Sequence, residues 1–210
     1  MEWHKVPVGG LQTNCYILHK NGECIVFDPG EEGEKLITFL EEKKLQPLAI
    51  MLTHAHFDHI GAVDNIRDRY NVPVYIHERE AEWLLDPNLN GSGRFMGLND
   101  VKAKPADHFI SKEQLLTVGP FELQTFHTPG HSPGSVSYYL KSINTIISGD
   151  TLFSGGIGRT DLRDGDHRQL LESIHNKLLT LPEETVVLPG HGSTTTIGNE
   201  MDSNPYLHGF

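Results

Sequence analysis

The chain of 210 residues contains no apolar run long enough to cross a membrane. Its first residues, Met-Glu-Trp-His-Lys, lack the apolar core of a secretion signal, so we expect a cytoplasmic protein without a membrane partner. Cysteine is scarce: Cys15 and Cys24 stand alone, and their separation matches neither a metal-binding nor a redox motif. They lie in adjacent predicted strands, where buried reduced thiols are expected and a disulfide is the alternative.

Positive charge is also scarce. The 17 Lys and Arg residues are outnumbered by 28 Asp and Glu residues, which gives a formal net charge of −11. This balance argues against nucleic-acid phosphate as a substrate or partner. The sequence has no low-complexity segment and no obvious linker, and 37% of its residues are hydrophobic. A chain of this length has ample core for one domain, so we predict a single domain over residues 1–210.

The densest group of chemically useful side chains lies in Thr-His-Ala-His-Phe-Asp-His-Ile-Gly, residues 53–61. His54 and His56 are two residues apart, so at the end of an extended strand they point to the same side. Asp58 and His59 follow where the chain turns into a helix, so they project from a different direction. One tetrahedral metal cannot readily accept all four side chains from so short a segment, whereas two adjacent metals can.

Three later segments could complete a two-metal site, which needs further nitrogen ligands and a carboxylate that bridges both ions. They are Thr-Pro-Gly-His131-Ser, Ser-Gly-Asp150-Thr and Leu-Pro-Gly-His191-Gly. Each follows a strand-like apolar run, and each has a glycine that allows the backbone to approach closely. Their wide, irregular spacing is expected when ligands come from different strand ends of one sheet.

These seven His and Asp residues resemble the metal ligands of the metallo-β-lactamase superfamily. Within it, the chain is similar to the glyoxalase II group, the hydroxyacylglutathione hydrolases, in a short form. The similarity covers nearly the whole chain and includes Asp28-Pro-Gly, the His-rich segment, Thr-Pro-Gly-His-Ser-Pro-Gly-Ser, Gly-Asp-Thr-Leu-Phe, Gly-Ile-Gly-Arg-Thr-Asp-Leu and Pro-Gly-His-Gly. It implies one metallo-β-lactamase-like domain of the α+β class, a four-layer αβ/βα sandwich with two sheets face to face and helices outside.

The resemblance also implies how two divalent ions would be held. The first ion would bind His54, His56 and His131. The second would bind Asp58, His59 and His191, and Asp150 would bridge the two. Asp58 would be a ligand first and a proton shuttle second. Zinc is the expected metal and iron or manganese are alternatives, because imidazole suits zinc and iron while carboxylates admit manganese.

Two such ions can share a water and lower its pKa towards ~7, and the resulting metal-bound hydroxide can attack a carbonyl. No Ser or Cys occurs in a nucleophile-elbow context, so no separate protein nucleophile is expected. A thioester suits this chemistry because its leaving thiol has a pKa near ~8.5. We therefore predict a binuclear metallohydrolase that cleaves a small-molecule thioester, such as S-lactoylglutathione or a related hydroxyacyl thiol. The oligomeric state stays open.

Several alternatives use similar ligands. Persulfide dioxygenases resemble the chain, including its Gly-Arg-Thr-Asp stretch, but use one iron held by two His and one Asp. Lactonases of the same fold and a non-enzymatic zinc-binding protein are further alternatives. β-Lactamases with a Cys ligand are disfavoured, because Asp150 occupies the place of that thiol.

The resemblance does not include the part of glyoxalase II that holds the thiol carrier. Full-length glyoxalase II enzymes have a C-terminal helical extension whose basic and aromatic residues hold glutathione, and here only residues 199–210 remain after the His191 segment. We therefore expect a different or loosely held carrier. Its carboxylates would be met by cations that border the cleft: Arg94, Lys102, Lys104 and Arg159.

Three residues near the proposed ligands have open roles. His127 is an alternative to His131 as a ligand, but the glycine beside His131 favours the latter and leaves an orienting role for His127. Asp28 either supports the His cluster or is a plain turn carboxylate. Arg159 either faces the site or pairs with Asp161. Ordinary surface or hydrogen-bonding roles are assigned to His4, His19, His77, His108, His167, His175 and His208.

Hydrophobic periodicity predicts two similar halves. The first half has strands at 14–18, 24–27 and 48–52, and helices at 32–44 and 61–69. The second has strands at 121–126, 136–140, 145–147 and 185–188. Its helix has Asp166 as N-cap and Gln169 three residues on, an apolar stripe of Leu170, Ile174 and Leu178, and an end at Pro182. Residues 86–107 are predicted to be a long loop over the site.

Overall fold

The computed structural model describes residues 1–94 and 99–208, which form two compact units. The first unit consists of Met1–Ser111 with Val118–Pro120, and the second of Lys112–Thr117 with Phe121–Phe210. Each unit is built on a six-stranded sheet with helices, which confirms the mixed α/β composition expected from the sequence. A single domain over residues 1–210 stays a prediction.

The sheet of the first unit runs in chain order from its first strand to its sixth. Its strands are β1 (Glu2–Val8), β2 (Thr13–Lys20), β3 (Glu23–Phe27), β4 (Gln46–Met51), β5 (Val74–His77) and β6 (His108–Ile110). Strands β1 to β3 are antiparallel, and β3 to β6 are parallel. The strands predicted at 14–18 and 24–27 are confirmed as β2 and β3, and they form an antiparallel hairpin. Because β3, β4 and β5 are parallel, their carboxyl ends lie at one edge, where ligand residues are expected.

The helices of the first unit pack on this sheet through a continuous apolar core. They are α1 (Gly33–Glu42), α2 (Phe57–Ile60), α3 (Val63–Tyr70) and α4 (Pro87–Asn90), with 3₁₀ helices at Glu78–Leu84 and Ser92–Arg94. Helix α1 buries Leu36 and Leu40, which are four residues apart and therefore lie on one face. It is shorter than the expected range 32–44, because Glu32 has a left-handed backbone and precedes the first turn.

For the predicted helix over residues 61–69, the predicted first residue is wrong. The chain forms α2 before Gly61 and α3 after Ala62, so Asp58 and His59 lie inside a short helix of their own. Gly61 packs so closely on the backbone of Gly30 that a Cβ atom here would lie 2.3 Å from the Gly30 carbonyl oxygen. This close approach joins the turn after β3 to the junction between α2 and α3.

The predicted loop over residues 86–107 is only partly irregular. It begins with α4 and a 3₁₀ turn, and Asp86 caps α4 by accepting a hydrogen bond from the Asn88 N–H at 2.8 Å. Residues 95–98 of this predicted loop lie outside the described residues. Residues 99–107 have no helix or strand.

The sheet of the second unit has the order β14-β13-β10-β9-β8-β7. The strands of this sheet are β7 (Leu115–Val118), β8 (Phe121–His127), β9 (Val136–Leu140), β10 (Thr145–Gly149), β13 (Val186–Pro189) and β14 (Thr195–Thr196). A separate hairpin consists of β11 (Leu152–Phe153) and β12 (Gly156–Ile157). The four strands predicted for this half correspond to β8, β9, β10 and β13. Strands β10 and β13 are parallel neighbours, so their carboxyl ends also meet at one edge.

The helices of the second unit are α5 (His167–Ser173) and α6 (Ile197–Ser203), with a 3₁₀ turn at Lys141–Ile143 and a π-helical segment, Ile174–Leu178, that continues α5. The N-cap at Asp166 is confirmed, because its Oδ1 accepts a hydrogen bond from the Gln169 N–H at 3.0 Å. The predicted stripe is buried in the core of this unit. The π-helical segment shifts the register of the last turn, which the 3.6-residue period does not predict.

Within the described ranges, no helix combines the length and the apolarity needed to cross a membrane. Cys15 and Cys24 are both buried free thiols. Cys24 pairs across the hairpin with His19, four residues from Cys15, so the two cysteines do not oppose each other.

Candidate metal centre

Asp28 lies at the carboxyl end of β3 and is 2% exposed. Its Oδ1 accepts the Thr53 N–H at 2.8 Å, and its Oδ2 accepts the Thr53 hydroxyl at 2.6 Å. The same Oδ2 lies 3.0 Å from Nδ1 of His59. Of the two roles left open, Asp28 therefore supports the His cluster from the neighbouring strand.

His54 and His56 follow the end of β4 and lie just beyond the strand. Their ring centroids are 4.8 Å apart, as expected for residues two apart in an extended segment. Thr53 Oγ1 lies 3.0 Å from Nδ1 of His54. Since that hydroxyl donates its hydrogen to Asp28, the imidazole Nδ1–H must be the donor, which leaves the lone pair on Nε2 for a metal.

Asp58 and His59 come from α2 and approach from a different direction. Asp58 Oδ2 accepts a hydrogen bond from the Thr13 hydroxyl at 2.8 Å and lies 3.5 Å from Nε2 of His59. His59 donates from Nδ1 to Asp28, so its Nε2 also carries the lone pair. Gly30 packs on this turn so tightly that a Cβ atom would lie 1.8 Å from the Asp58 carbonyl oxygen.

The first unit therefore brings four predicted ligands together in a buried cluster: His54, His56, Asp58 and His59. Asp28, His54 and His59 also have possible ligand atoms within 4.8 Å of one another. Asp28 suits a supporting role better than a ligand role, because its oxygens already accept three hydrogen bonds from Thr53 and His59. The donor set of the first unit fits a transition-metal ion such as zinc or iron.

The second unit brings together the other three predicted ligands. His131 follows β8, Asp150 follows β10 and His191 follows β13. Asp150 Oδ2 lies 3.5 Å from Nε2 of His131 and 3.5 Å from Nε2 of His191. Nδ1 of His131 donates to the Arg159 carbonyl at 2.8 Å, which again leaves Nε2 for a metal. Asp150 therefore lies between two candidate imidazole ligands.

Helix α5 and its π-helical continuation support the segment that carries His131. The Asp166 N–H donates to the Gly130 carbonyl at 2.8 Å, and the Ser173 hydroxyl donates to the Pro129 carbonyl at 2.7 Å. Lys177 donates to the His127 carbonyl at 2.6 Å and to Glu113. The helix and its N-cap thus hold three backbone carbonyls of this segment, those of Gly130, Pro129 and His127.

His127 does not compete with His131 for a ligand role in this arrangement. Its Nε2 lies 3.0 Å from the Pro133 carbonyl oxygen, and its backbone N–H donates to Glu113 at 3.1 Å. These contacts give His127 an orienting role at the loop that bears His131.

The side chains of two cations expected near a substrate carrier form ion pairs with aspartates. The Arg159 guanidinium forms a bidentate ion pair with the Asp161 carboxylate, and both N···O distances are 2.7 Å. These hydrogen bonds lower the pKa of Asp161 to about 2. Lys104 contacts both carboxylate oxygens of Asp68 at 2.6 and 2.7 Å. Of the two roles left open for Arg159, pairing with Asp161 is the one observed.

Glu80 contributes to the site but carries no signal in the sequence. It is fully buried, and its Oε2 accepts the Ala55 N–H at 2.6 Å, between the two imidazoles of the His54–His56 pair. Its role depends on a 3₁₀ helix that periodicity does not predict. Among the histidines without an assigned site role, His4 and His19 form a stacked pair with ring centroids 4.7 Å apart, and Nδ1 of His77 accepts the Arg79 N–H at 3.2 Å.

Comparison with known proteins identifies the family. The model of the metallo-beta-lactamase superfamily matches residues 8–191. The chain is 57% identical to "Probable metallo-hydrolase YqgX" of Bacillus subtilis over 210 residues, which cover 100% of this chain and 99% of that protein. It is 36% identical to "Hydroxyacylglutathione hydrolase GloC" of Haemophilus influenzae, with 97% and 96% of the two chains covered.

Solved structures agree with this assignment. The chain matches the crystal structure of "BLEG-1 B3 metallo-beta-lactamase" with a TM-score of 0.97 and 57% identity. The match covers 99% of this chain and 100% of the other. It matches TTHA1623, solved "in a di-iron-bound form", with a TM-score of 0.87 and 39% identity, and 97% and 100% of the two chains are covered. The chain therefore belongs to the metallo-β-lactamase superfamily and has the metallo-β-lactamase fold. With its candidate His and Asp ligands, it is a metallo-hydrolase of that superfamily.

Proposed function

We propose that this protein is a binuclear metallohydrolase that cleaves thioesters of small thiols, with hydroxyacyl conjugates such as S-lactoylglutathione as the substrate class. The ligands would be His54, His56 and His131 for one ion, Asp58, His59 and His191 for the other, and Asp150 for both. The observation that carries the proposal is the anchoring of Nδ1 in three of these imidazoles, His54, His59 and His131. This leaves Nε2 of each for a metal.

Zinc is the metal we propose first. The printed description of TTHA1623 names iron, so iron is the alternative to measure. When bound, two such ions polarise a carbonyl and lower the pKa of a shared water towards ~7.

The residues of the chain orient these groups and need not supply a nucleophile. Thr13 holds one oxygen of Asp58, so that carboxylate is directed as a ligand, and any proton transfer by it is secondary. Asp28 orients His59, and the Arg159 carbonyl orients His131. A thiolate leaving group has a conjugate-acid pKa near ~8.5, so its expulsion requires little acid assistance.

The thioester substrate is supported by the similarity to GloC, whose printed name is that of a hydroxyacylglutathione hydrolase. At 36% identity the relative is distant, so the acyl group and the thiol carrier are part of the proposal.

An Asp150→Ala variant tests the proposal, because a bridging carboxylate belongs to both ions. We expect lower metal content at both positions and loss of thioester turnover, measured by elemental analysis and by thiol release. Asp202→Ala, at an exposed position of α6, is the matched control. Two bound metals and near-normal activity in Asp150→Ala would overturn the ligand assignment.

β-Lactam hydrolysis is a second candidate function. It is favoured by one observation, the 57% identity and TM-score of 0.97 to a protein described as a B3 metallo-β-lactamase. The presence of Asp150 disfavours only β-lactamases that have a Cys ligand at this position. Turnover of a chromogenic cephalosporin and of S-lactoylglutathione by one preparation would rank the two activities, and we expect the thioester to have the higher kcat/KM.

A further inference from the structure

The 3₁₀ helix Glu78–Leu84 contacts the His54–His56 segment through two buried side chains. Glu80 is 0% exposed and accepts the Ala55 N–H at 2.6 Å. Trp83 is 4% exposed, and its ring centroid lies 5.7 Å from that of His56. Residues three apart in a 3₁₀ helix lie on the same side, so one face of this helix presents both side chains to the segment.

Glu80 supplies a hydrogen-bond acceptor to a buried backbone N–H group. Strand β4 ends at Met51, so the residues after it lie outside the strand. Asp28 accepts a hydrogen bond from the Thr53 N–H, and Glu80 accepts one from the Ala55 N–H. Buried backbone N–H groups require such partners. Carboxylates from two different elements therefore fix the backbone on either side of His54.

The 3₁₀ helix is itself held in place. Asn90 is fully buried, and its side-chain amide donates to the Trp83 carbonyl at 3.0 Å and to the Val101 carbonyl at 2.9 Å. The Ala103 N–H donates to the Leu84 carbonyl at 2.8 Å. Asn90 and Ala103, which both follow the helix in the chain, therefore hold its Trp83 and Leu84 carbonyls, and the element that carries Glu80 is fixed in place.

We propose that Glu80 is a positioning residue for the His54–His56 pair, and that it acts through the reach of its side chain to the Ala55 N–H. This inference rests on the proposed function in one respect, that these two imidazoles bind a metal. Groups that orient a metal ligand typically contribute 10–100-fold to metal affinity. A change that preserves the reach should leave affinity intact, whereas a change that shortens the side chain should not.

The experiment uses Trp83 as a reporter of metal binding. The chain has two tryptophans, so a Trp3→Phe parent leaves Trp83, beside His56, as the only one. Metal-free protein is titrated with Co²⁺, and Trp83 fluorescence and the visible absorption of bound Co²⁺ are recorded. Glu80→Gln keeps the reach without the charge, and Glu80→Asp keeps the charge but is shorter by one methylene group.

We expect Glu80→Gln to bind Co²⁺ with an affinity close to that of the parent and an unchanged absorption spectrum. Glu80→Asp should bind about 10–100-fold more weakly and show shifted absorption bands. Glu78→Asp, at an exposed position of the same helix, should behave like the parent. If Glu80→Asp does not fold, as judged by circular dichroism, Glu80→Met takes its place. It keeps the length but replaces the carboxylate oxygens by a thioether sulfur, which is only a weak acceptor, so the same loss is expected.

The reverse order, with Gln weak and Asp normal, would show that charge matters rather than reach and would overturn the inference. Equal losses in both variants, or no loss in either, would also overturn it. A parent protein that does not bind Co²⁺ would contradict the proposed function itself. A parent that binds Co²⁺ but does not cleave thioesters would contradict the substrate and leave the role of Glu80 to be decided by the titration.

Discussion

Asp28 has a left-handed backbone with φ of 48°, which is uncommon for a residue other than glycine. This conformation turns the chain sharply after β3 and directs the carboxylate towards Thr53 and His59. Strained backbone at a buried polar residue is typical of functional sites. The single side chain thereby connects the end of one strand to a candidate ligand on a different element.

An Asp28→Asn substitution should weaken metal binding while the fold is retained. Asn tolerates a positive φ, and its amide oxygen can still accept the Thr53 N–H, but its NH₂ group cannot accept from His59. We expect about a 10–100-fold loss of metal affinity, measured by titration of metal-free protein. Asp202→Asn is the exposed control. Unaltered affinity in Asp28→Asn would mean that His59 does not depend on this anchor.

Among individual residues, the sequence identifies candidate site residues only where they occur in a dense or recognisable motif. His54, His56, Asp58 and His59 are evident because four potential ligands occur within six residues. Glu80 is not, because nothing in the sequence distinguishes it from its neighbours Glu78 and Glu82. Its burial results from a 3₁₀ helix and from a hydrogen bond to a residue 25 positions earlier, neither of which has a local pattern.

At the scale of elements, each compact unit presents its candidate ligands where strands end. In both units a glycine packs against the backbone of a candidate ligand Asp: Gly30 against Asp58, and Gly158 against Asp150. The close approach sets the distance between the loop that carries the glycine and the turn that carries the carboxylate. Glycine is required here by space rather than by a positive φ.

Gly158→Ala should strongly destabilise the second unit. The new Cβ atom would lie 1.9 Å from the Asp150 carbonyl oxygen, so the backbone must shift, at a cost of about 3 kcal/mol or more in the free energy of unfolding. Gly156→Ala is the matched control, because the nearest atom to its Cβ is Phe153 Cβ at 3.8 Å, and we expect a change within about 0.5 kcal/mol. Denaturant unfolding measures both. Similar stabilities would show that the loop relaxes freely.

Element prediction succeeded where the apolar pattern was strong. Helix α5 and its Asp166 cap follow from the stripe of Leu170, Ile174 and Leu178, all buried. The split at Gly61 and the π-helical segment were not predicted. Both coincide with tertiary contacts that have no local sequence pattern: Gly61 closely approaches Gly30, and Lys177 donates to the His127 carbonyl.

At the scale of the whole molecule, the buried thiols make stability depend on pH. Burial raises the pKa of Cys24 from 9.0 to about 12 and raises that of Cys15 as well. The unfolded chain therefore ionises first as pH rises, so stability is fully present below pH 9 and declines between pH 9 and pH 12. Urea unfolding at pH 8 and pH 10 should show this decline, and a Cys15→Ala/Cys24→Ala variant should show a smaller one. An equal decline in the variant would exclude the thiols as its cause.

Selectivity among thiol carriers should be weak. The exposed cations Lys104 and Arg159 are paired with Asp68 and Asp161, and such surface contacts contribute only roughly 0–1 kcal/mol each. We expect modest differences in kcat/KM between lactoyl thioesters of glutathione and of other small thiols, and a KM that rises with salt if charges contribute. A preference of about a thousandfold, or ~4 kcal/mol, would require a formed carrier pocket.

Thioester hydrolysis at a two-metal centre is tested most directly by thiol release from S-lactoylglutathione by a metal-quantified sample. Dissolved oxygen is recorded in the same vessel, and a persulfide substrate is run in parallel. We expect two metal ions per chain, one thiol released per thioester cleaved, and no oxygen uptake with either substrate. One iron per chain, oxygen uptake with the persulfide and no thiol release from the thioester would contradict this expectation.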